Sequence, residues 1–387
     1  MKMTKRFKVS LITATLAMAA FNASAAVELY NNDEGMTFTA DGLINIFYSS
    51  SDTDMTDAAG AETNSKQSRV RTGFLPSYIG LNSSNQVGDY KVATRSSFWV
   101  TLSDTDASRG ATAAGTQTGI DVRQFYATVS GDFGEVLLGK DFGLFNRANI
   151  FGDELLLGYG QTSNTLGLVD GGNVSFGNIA TGYTYAFPKA QITYRTPDMS
   201  GFKLAVGIMD PNKLSADSDE DMPRFEAELT YDTTFDEGSL KAWVNGMSQS
   251  SEVAGVDQDQ SGVGYGVNVK FSGVSLTASG FSAEGVGHVA GLDQFVGADT
   301  IDTDGYLVQA SYTMGDNRFV LSYGQSTIDD NAVETESSNT NISYFRTVIP
   351  GVTVVAELNK TEIDNNNALD LTAEENNVIS IGAVVTF

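Results

Sequence analysis

The sequence predicts an all-β fold: a transmembrane antiparallel β-barrel of sixteen strands, with one long inward-folded loop. Three observations carry this reading. The last residues, Asn376 to Phe387, place Ile379, Ile381, Ala383, Val385 and Phe387 on one face of a strand and small or polar residues on the other. A strict period of two ending on a C-terminal aromatic suits a closing strand whose alternate side chains meet hydrocarbon and a wetter interior. Alternating segments recur along the whole chain. Their connectors fall into a short class and a long class, which is the two-ended asymmetry of an outer-membrane barrel.

The N-terminus is an address rather than structure. Lys2, Lys5, Arg6 and Lys8 precede an apolar run from Val9 to Phe21, and Ala23-Ser24-Ala25 supplies a small-residue cleavage site. Residues 1–25 are therefore expected to be a signal peptide and 26–387 the barrel domain. Nowhere later do roughly 18 consecutive apolar residues occur, which excludes a helical membrane protein.

Removing the four basic signal residues from 23 leaves 19 against 48 acids, a net charge near 19 − 48 = −29. Such a balance argues against nucleic acid as a partner, because phosphates demand a basic surface. It suits an exterior lying among lipid headgroups bridged by divalent cations, with the bilayer and lipopolysaccharide as partners. The absence of cysteine rules out a disulfide framework in an exported chain. Inter-strand hydrogen bonds in a closed barrel can hold the fold instead.

Short connectors carry tight-turn residues: Asn85 to Asp89, Gly131 to Gly134, Asp198 to Gly201, Phe235 to Gly238, Gly315 to Asn317 and Pro350-Gly351. Long acidic connectors are expected at Ser49–Ser68, Ser103–Gly119, Asp210–Met222, Gln249–Gln260, Glu284–Ile301, Ile328–Ser338 and Ile363–Glu375. Between them the strands fall at about 36–48, 69–83, 90–102, 120–130, 134–142, 189–197, 201–209 and 223–233. They continue at 238–248, 261–272, 274–283, 303–314, 317–327, 339–349, 351–362 and 376–387. Phe225, Ala227, Leu229 and Tyr231 alternate with Arg224, Glu226 and Glu228. Charge on the second face would be costly in lipid, so that face must look into water. Phe74-Leu75-Pro76 places a proline in the second strand, implying an edge, bulge or bend. Both faces of Asp121 to Ser130 are partly apolar, which a wall shared between subunits or a one-residue bulge would explain.

One connector breaks the pattern. From Phe142 to Pro188 there is no long alternation, yet the stretch carries Phe145, Ile150, Leu155, Tyr159, Phe176 and Tyr183. It is too apolar to be a solvated tail, and the largest concavity open to it is the barrel's own interior.

Enzyme chemistry is poorly supplied, and the chain is read as no enzyme. His288, the single histidine, falls in a long loop, so neither a Ser/His/Asp site nor Zn ligation is expected. Carboxylates such as Asp217, Asp219, Glu220 and Asp221 match no complete calcium loop. No cofactor and no metal site are expected.

In order along the chain, TADGLINIFYSS, DVRQFYATVSGDFGEVLLGKDFG, TYRTPDMSGFKLAVG and NNVISIGAVVTF resemble the general-diffusion porins of Gram-negative bacteria over residues 26–387. The resemblance implies a homotrimer of sixteen-stranded barrels passing small hydrophilic solutes and ions, with the loop near 142–188 folded inside as a constriction. It also implies acidic residues on the loop, Asp153 and Glu154, facing a basic wall drawn from Arg71, Arg95, Arg123 and Lys140. Opposite charges across a narrow aqueous gap order water and select permeants. Acidic loops at the mouth would favour cations and the basic wall anions. A substrate-specific porin, with Trp99 and Trp243 stacking on sugar rings, and a surface adhesin or phage receptor on the same barrel are the alternatives.

Overall fold

A computed structural model describes residues 26–32, 35–103, 120–162, 175–287, 292, 297–330, 333–366 and 373–387. The proposed signal peptide, Asp170 and His288 lie outside the described residues. In chain order the elements are β1 (Val27–Asn31), β2 (Thr37–Thr56), β3 (Glu62–Arg71), β4 (Ser77–Val87), β5 (Tyr90–Val100), β6 (Asp121–Gly131), β7 (Gly134–Phe142) and a short helix α1 (Arg147–Phe151). After the long loop follow β8 (Pro188–Arg195), β9 (Phe202–Met209), β10 (Arg224–Phe235), β11 (Gly238–Val253), β12 (Val256–Phe271) and β13 (Val274–Glu284). The chain ends with β14 (Asp302–Met314), β15 (Asn317–Asp329), β16 (Glu334–Ile349), β17 (Val352–Asn366) and β18 (Ala373–Thr386).

Each strand pairs antiparallel with its sequence neighbour, and β18 returns to β2 to close the barrel, Thr386 opposite Leu43 and Ala373 opposite Thr56. β3 and β4 are two parts of one stave, since both pair with β2 on the same edge. β1 pairs with Thr37–Ala40 just past the end of β18 and so prolongs that stave. The 18 segments therefore make 18 − 2 = 16 staves. The closing seam is made by Phe387, which exchanges backbone hydrogen bonds of 3.1 and 2.9 Å with Gly42.

The outward face carries the predicted apolar rows, with Ile379, Ile381 and Leu358 all more than half exposed to the surroundings of the barrel. Their inward neighbours Asn376, Val378 and Ser380 are buried. Turns on the short side use positive φ where expected: Ser200-Gly201 and Glu237 adopt it, as does Gly351 in the Pro350-Gly351 link.

Three departures from the expected strands have physical causes. β2 and β3 run on past Tyr48 to a tight link at Asp57–Ala61, and β11/β12 and β15/β16 likewise extend into stretches expected to be loops. Beyond the bilayer a ladder needs no apolar face, so hydrophobic alternation cannot mark where it ends. Pro76 does interrupt the second stave, between Arg71 and Ser77. The freed backbone is satisfied by Asn45, whose side chain donates to the Leu75 carbonyl at 2.6 Å and accepts from the Gly73 amide at 2.7 Å. Finally, the β5–β6 register passes from Ser97 opposite Gln124 to Phe98 opposite Val122. Arg123 is the extra residue of a β-bulge, which accounts for the mixed faces of β6.

Inside the barrel, loop and wall share an apolar cluster containing Phe47, Phe74, Trp99, Phe142, Phe145, Leu155, Tyr159 and Tyr183.

Candidate pore constriction

The loop between β7 and β8 is held inside the barrel at both ends of its first limb by carboxylates on opposite walls. At the entry, Glu226 of β10 accepts the Leu144 and Phe145 amides at 2.5 and 2.9 Å and the Arg224 Nε at 2.6 Å. Farther on, Glu357 of β17 accepts the Tyr159 and Gly160 amides at 2.6 and 3.2 Å and the Asn341 side chain at 2.8 Å. Both carboxylates are buried and sit where a side chain would otherwise be: a Cβ on Gly143 would lie 2.9 Å from Glu226 Oε2, and one on Gly158 2.1 Å from Glu357 Oε2. Glycine at each position lets the backbone reach the carboxylate. These wall residues lie on the polar face recognised in the sequence, but their role as loop anchors carries no sequence motif.

Between the two anchors, Arg147 of α1 pairs with Glu228, and Asn149 accepts from Trp243 Nε1 at 2.8 Å while donating to the Gly280 carbonyl at 3.1 Å. The returning limb is tied equally closely. Asn339 donates to Asn178 Oδ1 at 2.8 Å and the Gly182 amide donates to Ser326 at 2.9 Å. The interrupted stave joins in, since the Phe74 amide donates to the Gly158 carbonyl at 3.0 Å.

The two loop acids have different environments. Asp153 is buried and accepts four hydrogen bonds, from the Leu155 amide, Asn178, Tyr183 and Gln309, at 2.5 to 3.0 Å. Burial pushes this carboxyl up, and the Tyr183 and Gln309 bonds pull it back down. It fastens the loop. Glu154 accepts from Ser275 at 2.6 Å and Ser311 at 3.2 Å and pairs with Arg318 of β15 at 2.8 Å. The Arg318 guanidinium lies 4.1 Å from the Phe345 ring centroid. Arg318 was missed by sequence reasoning, although it alternates with the outward Phe319 and Leu321 and therefore had to face inward.

The residues expected to form the basic wall have different surroundings, and one of the four faces outward. Arg123, turned inward by the bulge, pairs with Asp121 at 2.7 Å, donates to the loop's Tyr185 hydroxyl at 2.8 Å and stacks 5.0 Å from the Trp99 ring centroid. Arg95 is buried and bound to Asp41 at 2.9 Å, Asn82 at 2.7 Å and Gln124 at 2.7 Å. Arg71 is buried at the end of β3, opposite Phe47. Lys140 stands apart: it pairs with Phe125 and Ala190 and shares the outward face of β7 with Leu138, so strict alternation turns it away from the lumen. Both tryptophans are buried, Trp99 stacked on Tyr78 and Trp243 bound to Asn149, which leaves neither indole free for a sugar ring. Among the described residues no cluster of acids and histidines has metal-binding geometry.

A family model described as Gram-negative porin matches residues 13–367. No curated protein sequence matches the chain. Solved structures do. An anion-selective porin from Comamonas acidovorans aligns with TM-score 0.65 at 17% identity over 91% of this chain and 100% of its own. The outer-membrane channel DcaP of Acinetobacter baumannii gives 0.64 at 15% over 94% and 100%. OmpT of Vibrio cholerae gives 0.58 at 14% over 92% and 99%.

Proposed function

The chain belongs to the Gram-negative porin family, and we propose that its pore is narrowed by the loop of about 142–188 facing a wall that includes Arg71, Arg95 and Arg123. The protein is an outer-membrane β-barrel channel for passive diffusion of small hydrophilic solutes and ions. In the proposed constriction Glu154, with Arg318, and Arg123 supply the charges that permeants meet. Asp153 fixes the loop beside them. The observation that carries this reading is the pair of carboxylates, Glu226 and Glu357, that anchor the loop from opposite walls.

The finer organisation follows the family. Residues 1–25 act as the export signal, the mature barrel assembles as a homotrimer, and the channel performs no chemistry. Lipopolysaccharide and the bilayer are its surroundings. On the outward face near the long loops, Glu362 stands opposite Glu375, which stands opposite Asp54, and Lys360 Nζ bridges Glu362 and Glu375 at 2.8 and 3.2 Å.

Planar-bilayer recording of the purified protein tests the reading. Discrete ohmic steps, with a step size raised by substituting Arg123 and Glu154 with small neutral residues, are expected. Unchanged steps in that variant would remove these charges from the constriction. Saturable block by a sugar at low concentration would favour a substrate-specific pore. The native oligomer is checked by mass in mild detergent, where a single barrel would refute the trimer.

A further inference from the structure

The outward wall over β8–β11 carries a groove. Ile192, Ile208 and Phe225 stand side by side on β8, β9 and β10, and one row nearer the short turns Val206 stands opposite Ala227, which stands opposite Gly246 of β11. The four large side chains are 40 to 53% exposed, whereas Ala227 and Gly246 barely rise from the backbone, so the wall dips over them. The dip encloses about 720 Å³, is overwhelmingly apolar and opens away from the lumen. A depression of this kind in a hydrocarbon-facing wall loses dispersion contacts unless an apolar chain lies in it.

A charge stands at the long-loop end of this groove. Leu138 of β7 pairs with Ile192, and Lys140, the next outward residue, pairs with Ala190 and with Phe125, which is 60% exposed. Lys140 lies two residues from the end of β7, where the chain turns into the barrel. Among the described residues its ammonium makes no hydrogen bond and no ion pair. The other outward lysines on strands are satisfied, Lys66 by Asp52 at 2.7 Å and Lys360 by Glu362 and Glu375. The exposed acid on the row of Lys140 is Asp210, whose amide donates to the Ala190 carbonyl at 2.9 Å; its carboxylate lies beyond ion-pair distance from Lys140. An ammonium beside an apolar wall is costly in hydrocarbon and reaches toward the headgroup layer. Phosphate is the anion that layer offers, and basic side chains next to apolar membrane-facing surface recognise it.

We propose that this groove and Lys140 bind one phosphorylated glycolipid of the outer leaflet, with an acyl chain in the dip over Ala227 and Gly246 and a phosphate against the Lys140 ammonium. The site rests on the reading that lipopolysaccharide surrounds the barrel, and it gives that contact a fixed place on the wall of β7–β11. It lies outside the channel and takes no part in conduction.

The test is native mass spectrometry of the purified protein in mild detergent with lipid A added, for the native chain, Lys140→Gln, Ala227→Leu and Lys66→Gln. Single-channel steps of native size confirm that each variant is folded. One lipid A held per barrel is expected, with retention reduced about fivefold in Lys140→Gln, reduced also in Ala227→Leu and unchanged in Lys66→Gln. Lipid A stripped of its phosphates should bind the native chain and Lys140→Gln alike. Retention unchanged in Lys140→Gln or in Ala227→Leu overturns the site while leaving a glycolipid contact elsewhere on the barrel. No retention by the native chain overturns that contact as well. Phosphatidylglycerol held as firmly as lipid A overturns the glycolipid assignment.

Discussion

Glu357 Oε2 occupies the position that a side chain on Gly158 would require, 2.1 Å from where its Cβ would stand, and there it accepts the Tyr159 amide while Oε1 accepts the Gly160 amide. The carboxylate does for the loop what a cap does for a helix end, satisfying consecutive buried N–H groups that have no other partner. Gly158→Ala is expected to dislodge this anchor, and Glu357→Gln to leave one amide facing an NH2 group at a cost of about 1–3 kcal/mol. Hydrogen exchange of the Tyr159 amide in the membrane-embedded protein checks both. Faster exchange there, with the β17 ladder still protected, is the expected result.

Arg95 and Asp41 form the buried ion pair of the first staves, with the Arg95 side chain only 3% exposed. Removing one partner strands a charge, so Arg95→Met is expected to cost about 3–5 kcal/mol. Arg95→Met/Asp41→Leu should recover most of that loss, since no lone charge remains. Urea unfolding in lipid vesicles measures the two variants, and equal losses for both would show that the pair's hydrogen bonds to Asn82 and Gln124 matter more than its charges.

Phe387 closes the barrel over Gly42, where a Cβ would lie 2.3 Å from the aromatic ring. Gly42→Ala is expected to destabilise the seam by about 1–3 kcal/mol through overpacking. Adding Phe387→Ala should relieve that part of the loss, giving a clear coupling in a double-mutant cycle. Strictly additive losses would mean that the ring does not lie on Gly42 in the membrane.

The barrel was legible because its rule is local. A period of two, turn residues at one end and a terminal aromatic mark nearly every stave, and even the irregularities at Pro76 and in β6 announced themselves as a misplaced proline and a mixed face. Strand ends on the long-loop side were not legible, since polar ladders such as Ser49–Thr56 against Glu62–Arg69 have no hydrophobic contrast. The loop's apolar content showed that it must pack inside, but the wall residues that receive it come from strands more than 80 positions away, as with Leu144 and Glu226. Lys140 illustrates the same limit. Its basic character was visible, whereas its facing depends on counting from Leu138, and a single step reverses it.

A disulfide between the loop and the far wall tests the central claim most directly, because the chain contains no other cysteine. Asn178 and Asn339 meet across 2.8 Å through their side chains, one on the returning limb and the other on β16. With Asn178→Cys/Asn339→Cys, rapid oxidative cross-linking in the assembled membrane protein is expected. Single-channel conductance should be nearly the same before and after reduction, because the loop already occupies that place in the conducting pore. Failure to cross-link in the folded protein, or a large rise in conductance on reduction, would contradict a loop anchored within the open channel.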